Sequence, residues 1–331
     1  MRCVPRRARL PAALALVVVL AVTAVVLSRS PSVLPGASTL LGRPRASDPR
    51  AHCSPGAAAG ALTQPTGLSF QAGLARPATE TGPGRVETIQ VPAPDAPGGQ
   101  HEVWIYRPDV PDSATLPVVY FLHGVPGGDR DIEQSMIVPF LEQSFAEGQR
   151  PFVVVAPDGN STGAEDSEWG DSPAGGVRVE SFVTGALIEA VEGSARRDAP
   201  HRAIMGFSMG GYGAMNLAMR HRDLYGSVAS LAGYFHVDDP SAVFGTDRAA
   251  LDANSPKQHP AQALGLHVLL ADGTEDEEPA VRGEAACFGP LLRAAGVAVQ
   301  VDLTPGTHSF DWLDSELPAL LRFLEGGWPA G

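Results

Sequence analysis

Apolar residues between about positions 118 and 303 of this chain fall into short runs that alternate with polar segments. Six such runs lie at Val118–Leu122, Phe152–Ala156, Ala203–Met205, Val228–Leu231, His267–Ala271 and Val297–Leu303. Short continuous apolar runs are typical of strands that are buried on both faces of a parallel sheet. Before them, Val86–Val91 and Glu102–Tyr106 flank the Pro/Gly-rich segment Pro92–Gly99, which predicts a β-hairpin.

A helical period separates the second of these six runs from the third. The apolar residues there recur every three or four positions, at Val179, Phe182, Val183, Ala186, Leu187, Ala190 and Val191. This spacing predicts a helix that covers one face of the sheet. Strands in alternation with helices predict an α/β domain, with a mostly parallel central sheet, helices on both faces and right-handed crossovers.

The N-terminus has a different pattern, in which basic residues come first and a long apolar run follows them. Residues 1–9 form a basic N-terminus with four arginines, and an uncharged run follows from Leu10 to Leu27. Its 18 residues are just enough to cross a hydrocarbon core as a helix. Residues 10–28 are therefore predicted to be a transmembrane anchor, with the N-terminus in the cytoplasm and the rest of the chain outside. The alternative is a cleaved signal segment and a secreted protein, although the sequence around Ser28 fits a cleavage site poorly.

The remaining segments are assigned by composition. Residues 29–83 are rich in Pro, Gly and Ala without a sustained period, which is typical of a linker. Residues 84–326 are predicted to fold as one domain, and residues 327–331 form a tail. Outside the cytoplasm, Cys53 and Cys287 are the only candidates for a disulfide, and two free thiols are an equally good interpretation.

The charge distribution limits the possible partners and cofactors. The formal net charge is −13, but residues 1–50 carry eight arginines against the single acidic residue Asp48, so the rest of the chain carries −20. Such an acidic body argues against a nucleic-acid partner. The glycines near residue 210 lack dinucleotide-binding spacing, and no His/Cys group has zinc-ligand spacing. We therefore expect neither a cofactor nor a metal.

The first candidate for chemistry is the motif GFSMGG at residues 206–211, which lies between a predicted strand and a helix that begins near Tyr212. Its glycines permit a tight strand-to-helix turn that lifts the Ser208 hydroxyl out of the sheet, with the Met209 amide facing the same point. This context predicts that Ser208 is a nucleophile. A glycine-rich structural turn is the alternative.

The second candidate is the loop FLHGVPGG at residues 121–128, which also follows an apolar strand. A tetrahedral intermediate needs two backbone donors for its oxyanion, and we assign them as the amides of Val125 and Met209. His123 is interpreted as a partner that orders this loop rather than as a proton carrier, and it is kept as a candidate substrate contact. Trp169 is a second candidate contact with the acyl or alcohol group of a substrate, unless it is a packing residue.

The third candidate lies beyond the last two strands. His308 follows the last strand in the segment TPGTHSFDW and is predicted to be the general base. The orienting acid is expected in the preceding loop, where Asp272, Glu275, Asp276, Glu277 and Glu278 leave the choice open. The order nucleophile, acid, histidine is the order of α/β-hydrolases, and this fold is therefore predicted for the domain.

From about Arg85 to Leu324, the chain resembles the esterase family that includes esterase D, bacterial feruloyl esterases and the antigen 85 type mycolyltransferases. The resembling segments are VVYFLHG (118–124), VVAPDGN (154–160), GFSMGG (206–211), HRDLYGSVASL (221–231), GTED (273–276) and GTHSFDW (306–312). The resemblance implies that Asp276 is the acid, because the esterases carry their aspartate in a G-T-x-D loop. It also implies an oxyanion amide at Val125.

The resemblance points to two subfamilies. Residues 306–309 are similar to the histidine loop of the mycolyltransferases, whereas His123-Gly124 is the esterase form and Asp276 stands where the transferases use Glu. We therefore expect an extracytoplasmic serine carboxylesterase that acts through an acyl-enzyme. The alternatives are an acyltransferase that moves an acyl chain to a sugar or glycolipid hydroxyl, and a non-catalytic envelope-binding protein. The expected partners are an ester, which a lipid or envelope glycolipid would supply, and the membrane through the N-terminal helix.

Overall fold

Eight strands form one sheet in the computed structural model, which describes residues 82–111, 115–162 and 164–329. The strands are β1 (Gly82–Pro92), β2 (Gln100–Asp109), β3 (Val118–Leu122), β4 (Val153–Pro157), β5 (Arg202–Phe207), β6 (Ser227–Leu231), β7 (His267–Gly273) and β8 (Val299–Thr304). Their order is β1-β2-β4-β3-β5-β6-β7-β8, with β1 and β2 antiparallel to their neighbours and β3 to β8 mutually parallel. Each predicted strand run overlaps one of these strands, and the predicted hairpin is β1–β2.

Helices cover both faces of this sheet. They are α1 (Ile137–Ala146), α2 (Val179–Ser181), α3 (Leu187–Glu192), α4 (Met209–Arg220), α5 (Arg248–Ala253), α6 (Glu284–Ala294) and α7 (Phe310–Gly327). A π-helical segment, Phe182–Ala186, joins α2 to α3, so the helix predicted from the apolar spacing is present as one helical stretch.

The core has two layers because successive side chains of a strand point to opposite faces. On β3, Tyr120 packs in the layer that contains Met215 of α4, whereas Phe121 packs in the layer that contains Leu317 of α7. The buried faces of α3, α4 and α6 belong to the first layer, and those of α1 and α7 belong to the second. Burial on both faces explains why the strands read as continuous apolar runs.

Strand direction determines where the candidate residues meet. Since β3 to β8 are parallel, the loops after Leu122, Phe207, Gly273 and Thr304 all leave the same edge of the sheet. In open α/β sheets, ligands bind at this carboxyl edge. All the predicted catalytic groups lie in these loops.

The predicted basic N-terminus, the segment 10–28 and nearly all of the predicted linker lie outside the described residues. In the part of the chain that the structure describes, no helix has both the length and the apolar character needed to span a bilayer. Strand β1 begins at Gly82, two residues before the predicted domain boundary. Cys287 lies in α6 and is disulfide-bonded, whereas Cys53 lies outside the described residues, so their pairing stays a prediction.

Candidate active site

Ser208 occupies the single position between a strand and a helix. Strand β5 ends at Phe207 and α4 begins at Met209. Ser208 has φ 60° and ψ −122°, a conformation that is unfavourable for a residue with a side chain and that recurs at functional sites. The Ser208 amide donates a hydrogen bond to the carbonyl oxygen of Leu231 at 3.0 Å, which holds the turn in place. The hydroxyl is thereby presented at the N-terminus of α4.

Two glycines make this turn possible, because backbone segments cross there too closely to leave room for a side chain. A Cβ atom on Gly206 would overlap the carbonyl oxygen of Gly210, and a Cβ atom on Gly210 would overlap the carbonyl oxygen of Leu122. The turn between β5 and α4 therefore passes directly against the end of β3. This contact is the physical reason for the G-x-S-x-G pattern here.

Replacing Gly210 should test this crossing. Gly210→Ala is expected to lower the free energy of unfolding by about 3 kcal/mol, because backbone atoms at Leu122 cannot move aside cheaply. Gly185→Ala is the control, since a Cβ atom there would meet no heavy atom within 4 Å and alanine favours a helix. Urea denaturation followed by circular dichroism measures both variants, and equal stability of the two would contradict the explanation.

The structure brings Ser208, His308 and Asp276 into one hydrogen-bonded chain. Ser208 Oγ lies 2.9 Å from His308 Nε2, and His308 Nδ1 lies 2.8 Å from Asp276 Oδ2. With Nδ1–H donating to the carboxylate, Nε2 is left without a proton and accepts a hydrogen bond from the Ser208 hydroxyl. The His308 ring also packs against Phe207, with 4.6 Å between ring centroids.

The loop between β8 and α7 carries His308 and is called the histidine loop here. It is anchored immediately after His308. The Ser309 side chain caps α7 by accepting a hydrogen bond from the Trp312 amide at 3.3 Å. The indole Nε1 of Trp312 donates to Thr304 Oγ1 at 2.9 Å, which ties the start of α7 back to the end of β8. The position of the imidazole is therefore set by a helix cap and a strand end.

The loop after β7, which carries Asp276, is joined to the histidine loop through backbone hydrogen bonds. The amides of Thr274 and Glu275 donate to the carbonyl oxygens of Thr304 and Gly306 at 2.7 and 2.9 Å. The second oxygen of Asp276, Oδ1, accepts from the Glu278 amide at 2.8 Å, and the Asp276 side chain is almost fully buried. Both carboxylate oxygens of Asp276 therefore have defined partners.

The other carboxylates of this loop have different surroundings. Glu275, Glu277 and Glu278 are exposed. Asp272 is buried, but its Oδ2 accepts from the Ala285 amide at 2.8 Å, at the start of α6. Burial, with Glu284 and Asp276 nearby, raises the pKa of Asp272 to about 7. Asp276 alone among these candidates is hydrogen-bonded to His308.

His123 and Trp169 act on the loop after β3 rather than on the cavity. The Gly159 amide donates to His123 Nε2 at 2.9 Å, so Nδ1 carries the proton and donates to the carbonyl oxygen of Gly124 at 2.7 Å. The Trp169 Nε1 donates to the carbonyl oxygen of His123 at 3.2 Å. His123 is 1% exposed and Trp169 is 0% exposed, and neither side chain lines the cavity beside Ser208. These contacts agree with the interpretation of His123 as a partner that orders the loop and of Trp169 as a packing residue, whereas contact of either residue with a substrate stays a prediction.

This ordered loop lies directly against the serine. A Cβ atom on Gly124 would lie 3.2 Å from Ser208 Cβ, so the loop backbone passes the nucleophile closely. Val125 and Met209, the predicted oxyanion donors, both line the same cavity as Ser208 and His308. Donation by both amides to one oxygen at this place stays a prediction.

A cavity of about 310 Å³ lies beside Ser208 and contains residues that the sequence did not single out. The residues that the sequence missed in its lining are Asp166, Glu168, Tyr234, His236 and Asp238. Two signals were available: the first pair lies just before Trp169 in the chain, and the other three follow the end of β6 at the carboxyl edge. Within residues 82–111, 115–162 and 164–329, no group of three or more His, Cys, Asp or Glu side chains could hold a metal ion.

The strand order, the positive-φ serine between β5 and α4, and the bonded histidine and aspartate define the α/β-hydrolase class of protein. The family model described as "Putative esterase" matches residues 95–324. The chain belongs to this esterase family.

Known proteins support this assignment. Esterase Rv1288 of Mycobacterium tuberculosis is 32% identical over 233 residues, covering 59% of this chain and 49% of the relative. S-formylglutathione hydrolase of Rattus norvegicus is 30% identical over 145 residues, covering 39% of this chain and 50% of the relative. This chain thus spans about half the length of these curated relatives. A solved ferulic acid esterase has the same fold, with a TM-score of 0.64 and 21% identity over 74% of this chain and 98% of that one.

Proposed function

We propose that this chain is a serine carboxylesterase that works through an acyl-enzyme on Ser208. The observation that supports the proposal most is the continuous hydrogen-bonded path from Ser208 Oγ through His308 to Asp276. Such a path converts a weakly nucleophilic hydroxyl into an effective one, because the base is adjacent and is itself oriented. The names of the relatives, esterase and S-formylglutathione hydrolase, agree with transfer of an acyl group from an ester or thioester to water.

In the first step, Ser208 Oγ attacks the ester carbonyl carbon while His308 Nε2 takes the hydroxyl proton. Asp276 stabilises the imidazolium that results. The carbonyl oxygen becomes an oxyanion, which the amides of Val125 and Met209 stabilise. As the C–O bond to the alcohol breaks, His308 returns its proton to the leaving oxygen, and the acyl group remains on Ser208.

In the second step, water attacks the acyl-enzyme carbonyl and His308 takes a proton from it. Collapse of the second tetrahedral intermediate breaks the bond to Ser208 Oγ, which regains its proton from His308. The products are a carboxylic acid and the free enzyme. A sugar hydroxyl in place of this water would give an acyl sugar instead, which is the acyltransferase alternative.

The location of this activity is a separate proposal, and it rests on the amino-acid sequence. The basic residues before the apolar segment 10–28 support an orientation with residues 84–326 outside the cytoplasm. An external protease added to intact cells is expected to digest the domain while a cytoplasmic marker stays intact. Protection of both would contradict this orientation.

The activity itself is tested by incubating the full chain with acetate, butyrate, octanoate and dodecanoate esters of p-nitrophenol, with and without a disaccharide acceptor. Release of p-nitrophenol with stoichiometric free acid is the result expected of an esterase. Appearance of acylated sugar at the expense of free acid would favour the transferase. Binding of esters with no release of p-nitrophenol would contradict the proposal and would favour the non-catalytic envelope-binding protein.

A further inference from the structure

The cavity beside Ser208 has four carboxylates in its lining against the two imidazoles of His236 and His308. Asp166, Glu168, Asp238 and Glu278 all contribute to its wall, and no arginine or lysine of the described residues lines it. A cavity of one charge sign focuses its potential and attracts ligand groups of the opposite sign. An acidic lining by itself is common on protein surfaces, so the environment of each carboxylate matters.

Glu168 is the group that points to a ligand. The residue is 6% exposed and lines the cavity, yet only one of its two carboxylate oxygens has a partner. Oε1 accepts from Ser241 Oγ at 3.4 Å, whereas Oε2 has no hydrogen-bond partner among the described residues. A buried carboxylate oxygen without a donor is energetically unfavourable. A donor group on a bound molecule would satisfy it.

The charges around Glu168 indicate which kind of donor fits. Burial, and then the neighbouring Asp166 and Asp238, raise the pKa of Glu168 to about 8, and burial with Asp238 also raises the pKa of Asp166. The phenols of Tyr212 and Tyr234 are the other titratable groups close to Glu168. A neutral hydroxyl would supply a hydrogen bond but leave the carboxylates repelling each other. Any cation, a quaternary one included, relieves this repulsion, and a cation with an N–H group also supplies the hydrogen bond.

Two basic side chains that follow β6 lie against Glu284. Lys257 Nζ lies 2.5 Å from Glu284 Oε1, and His236 Nδ1 lies 3.6 Å from Glu284 Oε2. The Lys257 ammonium is therefore paired with Glu284 and not with Asp166 or Glu168. Among the described residues that line the cavity, no lysine or arginine is available to these two carboxylates, so a cation that enters the cavity would be their counter-ion.

An aromatic ring beside these carboxylates favours an organic cation. Tyr234 lines the cavity and stacks on the buried ring of Tyr212, with 4.7 Å between centroids and 3° between planes. A ring held in this way presents a fixed face or edge to the cavity. Ammonium groups, including quaternary ones, are attracted to tyrosine faces in addition to carboxylates.

We propose that the preferred esters carry a positively charged ammonium group, which binds against Glu168 and Asp166 while the ester carbonyl lies at Ser208 Oγ. This inference rests on the proposed esterase activity and specifies its substrate class. The ammonium group takes no part in the bond-breaking steps. It adds binding energy at a point away from the reacting carbonyl, and so it is expected to raise kcat/KM for a cationic ester over a neutral one of the same shape.

Two matched pairs of esters test the proposal on the full chain. The first compares a choline ester with its carbon analogue, in which a tert-butyl group replaces the trimethylammonium group. The second places the same replacement at the end of the acyl chain of a p-nitrophenyl ester. We expect kcat/KM for the cationic member to exceed that of the neutral member by about tenfold or more in at least one pair, which also identifies the side of the ester that enters the cavity.

The ratio within a pair should depend on pH in a defined direction. Since the pKa of Glu168 is raised to about 8, its carboxylate gains charge as the pH rises through that value. The preference for the cationic ester is therefore expected to increase between about pH 7 and pH 9. A pH effect on the acyl-transfer steps acts on both members of a pair alike and cancels in the ratio.

Substitutions of Glu168 and Asp166 test whether these carboxylates cause the preference for cationic esters. Glu168→Gln and Asp166→Asn should each reduce the ratio severalfold, whereas Glu165→Gln, at an exposed position in the same loop, should leave it unchanged. Labelling of Ser208 by a fluorophosphonate shows that each variant is folded at its active site. If Glu168→Gln fails that check, Asp166→Asn provides the comparison.

The outcomes separate this inference from the proposed function. Hydrolysis of both members at equal rates by the wild type, or a ratio that survives both substitutions, overturns the inference and leaves the esterase intact. A preference for polyol esters over cationic ones would mean that the wall binds hydroxyl groups, and it also overturns the inference. Failure to hydrolyse any ester together with failure to label Ser208 overturns both proposals.

Discussion

Ser208→Ala should abolish fluorophosphonate labelling of this chain and lower kcat/KM for ester hydrolysis on the order of 10⁴-fold or more. The expected loss is large because the serine oxygen forms the covalent bond in the proposed reaction, and His308 and Asp276 have no other nucleophile to activate. Any remaining rate would come from substrate binding and from the donors at Val125 and Met209, which the substitution leaves in place. Labelling is read by gel fluorescence, and hydrolysis by release of p-nitrophenol.

The matched control for this variant is Ser315→Ala. Ser315 is an exposed serine within α7, and its hydroxyl donates only to the carbonyl oxygen of Trp312 at 2.7 Å. Labelling and hydrolysis should equal those of the wild type, because alanine is well tolerated in a helix. If Ser208→Ala were labelled as strongly as the control while it keeps its circular dichroism spectrum, the assignment of the nucleophile would be wrong.

Asp276→Asn is expected to reduce kcat by about 10³- to 10⁴-fold with little change in stability. The substitution preserves the shape of the side chain but removes the charge that stabilises the His308 imidazolium. It also replaces an oxygen that accepts from His308 Nδ1–H with a group that can donate, which favours the wrong tautomer. Steady-state kinetics with a p-nitrophenyl ester measures the loss, and labelling of Ser208 should become slower without disappearing.

Glu277→Gln is the control for this second prediction, because Glu277 is the adjacent residue, is exposed and has the same charge. Its kcat should remain within about twofold of the wild type, since an exposed charge is screened by solvent. A loss at Glu277 as large as that at Asp276 would show that the negative charge of the whole loop, and not the bond to His308, supports catalysis.

The positions of the strands along the chain, and those of Ser208 and His308, were accessible from the sequence for local reasons. A strand that is buried on both faces must be apolar at successive positions, and it therefore leaves a continuous run that needs no knowledge of the rest of the fold. Likewise, the glycines around Ser208 are required by a backbone crossing only a few residues long. His308 was found because it follows the last strand, after the nucleophile and the acid, which is the order of α/β-hydrolases.

The sequence could not choose among five carboxylates for the acid, because all of them lie in one loop of similar composition. Backbone hydrogen bonds from Thr274 and Glu275 to the histidine loop decide the matter, since they turn Asp276 inward and leave its neighbours exposed. The resemblance to known esterases also selected Asp276. Local spacing alone did not contain this information.

The roles of His123 and Trp169 were decided by contacts that sequence proximity does not reveal. Both residues looked suitable for substrate contact because they follow strands β3 and β4 at the carboxyl edge. In the folded chain, the amide of Gly159 and the carbonyl of Gly124 occupy both nitrogens of the imidazole, and the indole is fully buried in the core. Their polar atoms thus hold the loop after β3 in place.

The sequence by itself predicted the strands and the places of Ser208 and His308 beside them, because each depends on neighbours along the chain. The tertiary structure shows which carboxylate is hydrogen-bonded to His308, and it alone decided which side chains form the cavity wall. The physical reason is that Glu168 and Asp166 follow β4 whereas Tyr234 and Asp238 follow β6, and these loops meet only when the parallel sheet brings its carboxyl ends to one edge.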